Sequence, residues 1–481
     1  SGKKGAYDTT GALTRWDVSR FSAINYRRGA SERDGFHNWQ GSVRLGVDLP
    51  KDGGLEFNFR WMNGITNFDG FAFNPATFTS DPADVLGAKS TSQQYVYSGS
   101  YLQPLTNWWS QKLTLARATE SLTSYLGSFQ RNLVTGVEDV PFQTASEINT
   151  TSNRVEWQHD FQIAKPLALT AGYQFREQLG ENLDTLTGAT TIPTKIVSSN
   201  AGFAEAKLNL WDRLFGTAGI RQDEYNTFGS ATTYRVTGGY LHKETGTKLR
   251  GSYGTGFRAP TINQLYFPGF GNPNLKPEKS KGLDIALEQS LLSDRVFLSV
   301  GYFWTRYQNL ILSVFDPVGC ASIPDTQGFC AQNIGSSMAE GIEANAKVQL
   351  VRDRPWIKSL GIQFQYTHTS TRNETDNANT RLPKCPHNQW SAILSYQPIE
   401  AVRANLEGRF VGQRFNDTSN DESLPHFYVW NASFTYDLNR TVQVYGRADN
   451  IFNRKYEEVL FFGTPIRSVF GGVRVNFDMP L

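Results

Sequence analysis

Apolar and polar positions alternate with a period of two through most of the chain. Leu55, Phe57, Phe59 and Trp61 alternate with Glu56, Asn58 and Arg60, so one extended segment carries an apolar face and a polar face. Val155, Trp157, His159, Phe161 and Ile163 repeat the pattern against Arg154, Glu156, Gln158, Asp160 and Gln162. Ala204, Ala206, Leu208 and Leu210 alternate with Glu205, Lys207 and Asn209, and Ile342, Ala344, Ala346, Val348 and Leu350 with Glu343, Asn345, Lys347 and Gln349. Residues 296–304 and 473–477 behave alike. Such strands run about ten residues or more, longer than the usual five or six of soluble sheets and near the length a tilted strand needs to cross a bilayer. Slipping the register by one residue would turn Glu343 and Lys347 toward lipid at roughly 2–4 kcal/mol each near the midplane.

Connections between these segments alternate in length. Short ones are expected at 50–54, 104–108, 164–166, 211–213, 244–246, 292–294, 352–355, 398–401 and 437–440. Long ones are expected at 64–90, 119–149, 179–197, 258–279, 310–336, 372–384, 416–424 and 453–465. Residues 5–27 read as two strand-like stretches around a turn at 15–17. Short turns on one rim and long loops on the other describe an outer-membrane barrel rather than a sandwich. A propeller would repeat one blade at a fixed period, and none is found. The expected fold is therefore all-β, a large antiparallel transmembrane β-barrel of about 20 or 21 strands, wide enough for a plugged lumen.

Composition agrees. The 481 residues are 39% apolar with a mean hydropathy of −0.43 and contain no apolar run of helical membrane-spanning length. Aromatic residues at 13% suit interfacial girdles, and a formal charge of +2 gives no reason to expect nucleic acid. Of three cysteines, Cys320 and Cys330 share one polar segment; a disulfide there would close a short loop, the other reading being two free thiols, and Cys385 is left over.

Between two alternating patterns lies GTGFRAPTINQLYFPGFGNPNLKPEKS, residues 254–280. Its prolines and glycines argue against a regular helix or ladder and for an ordered excursion between strands. The segment resembles the GFRAP…NPxLxPExS stretch of TonB-dependent outer-membrane receptors. GYFWTRYQNLI (301–311), QNIGSSMAEGIEANAKV (332–348) and RADNIFNRKYEE (447–458) are similar to that family's later barrel signatures, in the family's order. The segment around Trp108–Leu115 resembles the family's cobalamin receptors.

The resemblance implies an outer-membrane active-transport receptor of a Gram-negative-type bacterium, not an enzyme. It would bind a scarce nutrient at its outer loops, a corrinoid ahead of a ferric siderophore or haem, and import it with energy from the TonB complex. A surface lipoprotein is a further expected partner beside membrane lipid. Family members also carry an N-terminal plug and a TonB-binding box. Neither is recognisable here, so residues 1–481 read as the barrel domain with the plug and first strand lying outside the chain. Phe71, Phe73, Phe78, Tyr266, Phe267, Phe270 and Asn272 are the candidate ligand contacts, aromatic faces and an amide at the lumen mouth. Arg258, Pro260, Asn272, Pro273, Pro277, Glu278, Asn450, Phe452 and Tyr456 match family motif positions and are read as structural, with Arg258 bridging lumen wall and loop.

No HExxH, GxSxG, CxxC or phosphate-loop signature points to catalysis, and no cofactor is expected. His159 and His368 fall on the apolar register and read as interfacial. Cys385 and His387, two apart beside a loop, are a weak metal pair. The acidic loops 373–377 and 416–422 could hold calcium, although they lack the EF-hand spacing and read better as solvated loops. The competing classes are a passive porin and an outer-membrane barrel enzyme.

Overall fold

The computed structural model describes residues 9–22, 35–68, 70–74, 79–83, 88–131, 138–316, 318–321, 323, 328–375, 380–460 and 462–475. Its first strands are β1 (Thr9–Ser22), β2 (Gly35–Leu49), β3 (Gly53–Asn67), the short pair β4 (Gly70–Asn74) and β5 (Thr79–Ala83), β6 (Lys89–Thr106), β7 (Trp109–Arg131) and β8 (Glu138–Ala164). There follow β9 (Leu167–Asp184), β10 (Thr190–Leu210), β11 (Leu214–Tyr225), β12 (Gly229–His242), β13 (Thr247–Arg258), helix α1 (Ile262–Tyr266), β14 (Glu278–Leu291) and β15 (Val296–Phe315). The remainder is β16 (Phe329–Arg354), β17 (Ile357–Asn373), β18 (Asn388–Gln397), β19 (Val402–Val411), β20 (Arg414–Phe415), β21 (Ser423–Leu424), β22 (Phe427–Asp437), β23 (Val442–Asp449), β24 (Glu457–Val459), β25 (Phe462–Gly463) and β26 (Ser468–Val475).

One 20-stranded sheet contains all but three small hairpins, β4–β5, β20–β21 and β24–β25. Every ladder in it is antiparallel and joins strands that are successive in the sheet, from β1–β2 to β23–β26. The sheet is thus a continuous meander, and each connection stays on its own rim.

The short connections fall where alternation breaks. Lys51 and Asp52 (φ 63° and 57°) and Trp211 and Asp212 (φ 54° and 53°) make tight turns in the left-handed region, the geometry that matches strand twist. The aliphatic positions of the period-two pattern lie exposed on one face, as Leu115, Ile220, Val300 and Ile342 do. Near the short-turn rim that face carries Trp108, Trp211 and Trp356, the last 88% exposed. His159 sits among them, accepting from Trp109 Nε1 at 3.2 Å with the Trp157 ring 4.6 Å away.

The opposite face pairs its charges. Lys248 and Arg250 reach Glu288 at 3.1 and 2.6 Å, and Arg44 pairs with Glu56. Asp223, only 2% exposed, is held by Arg221 at 2.9 Å. No central apolar core is found among the described residues. The buried apolar clusters of the described residues lie instead at the long-loop rim and tie the loops down.

Four expectations are corrected. The turn at 15–17 is a register irregularity between Ala12 and Arg15 inside one continuous strand, β1. Residues 119–149 and 179–197 are largely ladder, since β7, β8, β9 and β10 continue well past the apolar belt. Their Ser, Thr, Asn, Gln and Glu side chains are polar on both faces, so alternation vanishes while the backbone still pairs. Residues 254–258 pair with 278–282, and a short helix stands between them. Finally, β11 and β12 are joined on the long-loop rim by a tight turn at 226–228 that the sequence reading did not place.

Candidate functional site: the long-loop mouth and the wall beneath it

The loop from β13 to β14 folds as a lid on the rim because its local chemistry is self-contained. Thr261 and Gln264 form a capping box, with Gln264 N donating to Thr261 Oγ1 at 3.2 Å and Thr261 N to Gln264 Oε1 at 3.0 Å. Phe267 ends α1 in an extended conformation, as a residue preceding proline prefers. Gly271 permits the return, since a Cβ there would lie 2.5 Å from Phe267 N and 2.7 Å from Tyr266 N.

The lid is anchored by Leu265, 1% exposed, which packs with Val197, Leu275, Ile311 and Ala331. Tyr266 and Phe270 pack against the same cluster, with Lys195 Nζ 5.0 Å from the Tyr266 ring centre and Phe270 5.9 Å from Phe329. Asn272 donates to Ala331 O at 3.0 Å and accepts from Asn274 N at 2.9 Å. Of the ligand candidates here, Tyr266, Phe270 and Asn272 are therefore engaged by neighbouring strands, and only Phe267, 38% exposed, presents its ring to solvent. Phe71 and Phe73 lie in the β4–β5 hairpin, opposite Pro82 and Ser80, with side chains outside the described set; Phe78 lies outside the described residues altogether.

Arg258 and Glu278 face each other where β13 and β14 leave the rim. The guanidinium donates through Nε and Nη2, both at 2.6 Å, and Glu278 Oε1 also accepts from Ile311 N at 2.9 Å. One carboxylate thus ties three strands at the lid's base. Pro260 and Pro277 are buried beside it and Pro273 is exposed. Asn333 was missed by the sequence reading. It bridges the lid to the next loop, donating to Lys276 O at 2.8 Å and Asn309 O at 2.9 Å while accepting from Lys276 N at 2.7 Å.

The neighbouring loop is closed by a disulfide between Cys320 and Cys330, whose Cα atoms are 5.8 Å apart. Asp316 accepts from Val318 N and Gly319 N and from the Gln332 side chain, and the Gly319 amide leads in holding its carboxyl below the usual range. Farther round, Asn450 is 3% exposed and knots its loop, donating to Arg454 O at 2.7 Å and accepting from Arg454 N at 2.7 Å. Tyr456 stacks on Phe427 at 4.2 Å, and burial pushes its phenol up. Phe452 is 70% exposed and turns away, edge-on to Trp430.

Arg414, 3% exposed, was also missed; it donates to Glu457 O at 2.7 Å beneath the same loop. Its sequence context, an arginine in a Gly- and Asn-bordered loop, carries no signal of burial. In the 416–422 loop the Asp417 carboxylate accepts from Ser419 Oγ and from the amides of Asp421 and Glu422, which hold it well below the ordinary range. Asp417 is thus engaged by its own loop. Burial pushes the Cys385 thiol up, and the neighbouring His387 ring stacks on His368 at 5.7 Å. No group of three or more metal-ligating side chains occurs among the described residues.

Beneath the mouth the polar wall holds two recesses. One of about 760 Å³ is bordered by Glu407, Arg409, Asn431, Arg447, Asp449 and Tyr456. The other, about 300 Å³, is bordered by Gln174, Arg176, Arg221, Asp223, Tyr225 and Phe257. Donors and acceptors alternate along both, an arrangement that suits a large polar guest or a polar protein surface and offers no nucleophile–base pair.

An antiparallel meander with short turns on one rim, braced loops on the other and a charged face opposite the apolar belt defines a class. Residues 15–451 match the family model described as TonB dependent receptor-like, beta-barrel, and the chain belongs to that family. Its members are outer-membrane transport receptors rather than enzymes. Among curated relatives, the vitamin B12 transporter BtuB of Photobacterium profundum is 25% identical over 345 residues, covering 69% of this chain and 51% of that protein. BtuB of Vibrio vulnificus is 23% identical over 311 residues, covering 64% and 46%. The chain spans about half the length of these relatives. In structure it is similar to the ferric enterobactin receptor PfeA of Pseudomonas aeruginosa, with a TM-score of 0.74 at 16% identity, covering 96% of this chain and 74% of that one. The copper transporter OprC gives 0.73 at 16% identity, covering 97% and 76%. These two likenesses concern the fold.

Proposed function

We propose that the chain is the barrel part of a receptor that captures a scarce nutrient at the long-loop rim, on the cell exterior, and passes it inward when TonB supplies energy. In this reading the meander closes into a barrel. The half of the curated relatives' length that this chain does not span would supply the lumen-filling plug and the TonB-contacting box. The observation that carries the reading is the braced mouth over a charged wall. Lid, disulfide loop and Asn450 loop are each tied down by buried contacts, as loops that must hold one binding geometry would be, whereas a passive pore needs no such bracing.

A corrinoid is the preferred cargo, on the strength of the vitamin B12 transporters among the sequence relatives. A ferric siderophore or haem is the alternative within the class, and a passive porin the alternative outside it. Titrating the complete receptor, plug included, with cobalamin and separately with ferric chelates, while following tryptophan fluorescence, tests this. Saturable quenching by cobalamin alone supports the corrinoid. A response only to a ferric chelate overturns the cargo and keeps the class, and silence toward both overturns the receptor reading.

A further inference from the structure

Two histidines from separate segments of the chain stand side by side where β17 approaches the long-loop rim. The ladder sets His368 of β17 opposite Asn388, the first residue of β18, and Thr369 N donates to His387 O at 2.8 Å, so His387 continues the pairing just beyond the strand. The two imidazole rings are parallel within 4°, with their centres 5.7 Å apart. The sequence reading set His387 beside Cys385; the fold sets it beside His368.

Each ring is held through its Nδ1. His387 Nδ1 lies 3.0 Å from Thr369 O, and His368 Nδ1 lies 2.9 Å from Asn388 Oδ1, which also accepts from Tyr366 Oη at 2.8 Å. Carbonyl oxygens only accept, so each Nδ1 carries a proton and donates it. A neutral imidazole has a single N–H, which leaves each Nε2 with a bare lone pair. Neither Nε2 has a hydrogen-bond partner among the described residues, and neither is sealed off from solvent. His159 is arranged the other way. Its Nδ1 accepts from Trp109 Nε1, so its proton sits on Nε2 and no lone pair is free.

We infer that His368 and His387 form a two-imidazole site for a divalent transition-metal ion of the copper or zinc kind, each contributing Nε2. An ion bound at about 2.0–2.1 Å by two such nitrogens sets the ring centres roughly 5–6 Å apart, and the spacing of 5.7 Å falls within that span. The acceptors behind the rings are what imidazole ligands require, because they fix the tautomer and make Nε2 more basic. Asn388 is thus a positioning residue, steadied in turn by Tyr366. No third His, Cys, Asp or Glu completes a group with the pair among the described residues, so water would fill the remaining coordination positions. Imidazole nitrogen suits copper and zinc, whereas calcium and magnesium take oxygen ligands. An ion held here would staple β17 to the segment entering β18, whatever cargo the receptor carries.

The test titrates copper(II) into the complete, chelator-treated receptor in detergent and follows it by electron paramagnetic resonance. The expected spectrum shows one ion coupled to two imidazole nitrogens. That signal should be lost from His368→Gln and from His387→Gln and kept in His159→Gln. Asn388→Leu, which leaves both ligands in place, should weaken binding roughly 10–100-fold, while Asn388→Asp, which restores an acceptor, should recover most of it. Heat-dependent gel mobility verifies that each variant remains folded. A two-nitrogen signal that survives in either folded histidine variant overturns the proposal, as does coupling to a single nitrogen, or no bound copper, in the unaltered receptor. Equal affinity in Asn388→Leu overturns the role given to the backing acceptor.

Discussion

Truncating Leu265 should release the lid without touching the sheet. The side chain is 1% exposed and inserted among Val197, Leu275, Ile311 and Ala331. Burying a leucine contributes about 1.5–3 kcal/mol, and the void left by Leu265→Ala adds a cavity cost, so about 3 kcal/mol is expected. This loss falls on the lid alone, because the sheet is held by backbone ladders that do not pass through α1. Local opening of the lid should become roughly a hundredfold more frequent. Hydrogen exchange of the Leu265 and Phe267 amides, which donate to Thr261 O and Asn263 O at 3.0 Å, reads this directly. Phe267→Ala, at an exposed ring, should change exchange by well under tenfold. Unchanged protection in Leu265→Ala would refute the claim that the apolar cluster holds the lid. Protection lost across β13 and β14 as well would refute its independence from the sheet.

Other consequences follow from single contacts. Replacing Cys320 and Cys330 by serine removes a cross-link over a sequence separation of 10, which should loosen that loop by about 2–3 kcal/mol and speed its limited proteolysis while leaving the heat-modifiable mobility unchanged. Gly341→Ala would set a Cβ 2.0 Å from His368 O and 2.8 Å from the Phe303 ring, and should reduce the yield of folded receptor severalfold in gel assays. The Glu244 carboxyl is held near 2, first by donation from Arg213. Its folded value lies below the unfolded one, so the contribution of this pair is full above about 4.5 and is lost as pH falls toward about 2. A carbon-detected titration should place the Glu244 midpoint near 2 and return it to the ordinary carboxylate range in Arg213→Ala.

Legibility in the sequence followed the physical signal. Where a strand carries one apolar and one polar face, as Leu55–Trp61 and Ile342–Leu350 do, alternation persists residue by residue and the faces could be read directly. Beyond the apolar belt both faces are polar, alternation ends, and β7 to β10 looked like loop although their ladders continue. Tight turns such as Lys51–Asp52 were legible because the chain must reverse within a few residues. The contacts of the mouth were not, since they arise between segments far apart in the chain. Asn333 meets Lys276 across 57 residues, and Arg414 meets Glu457 across 43. Likewise, aromatic residues in a loop look the same in sequence whether they face a ligand or, like Tyr266 and Phe270, clamp the loop to its neighbour.

Uptake in living cells tests the central claim most directly. Cells lacking their own corrinoid receptor would express the complete protein and be given labelled cobalamin, with and without a functional TonB. The account predicts saturable accumulation that disappears when TonB is absent. Accumulation that rises in proportion to concentration and is indifferent to TonB would contradict it and leave a passive pore.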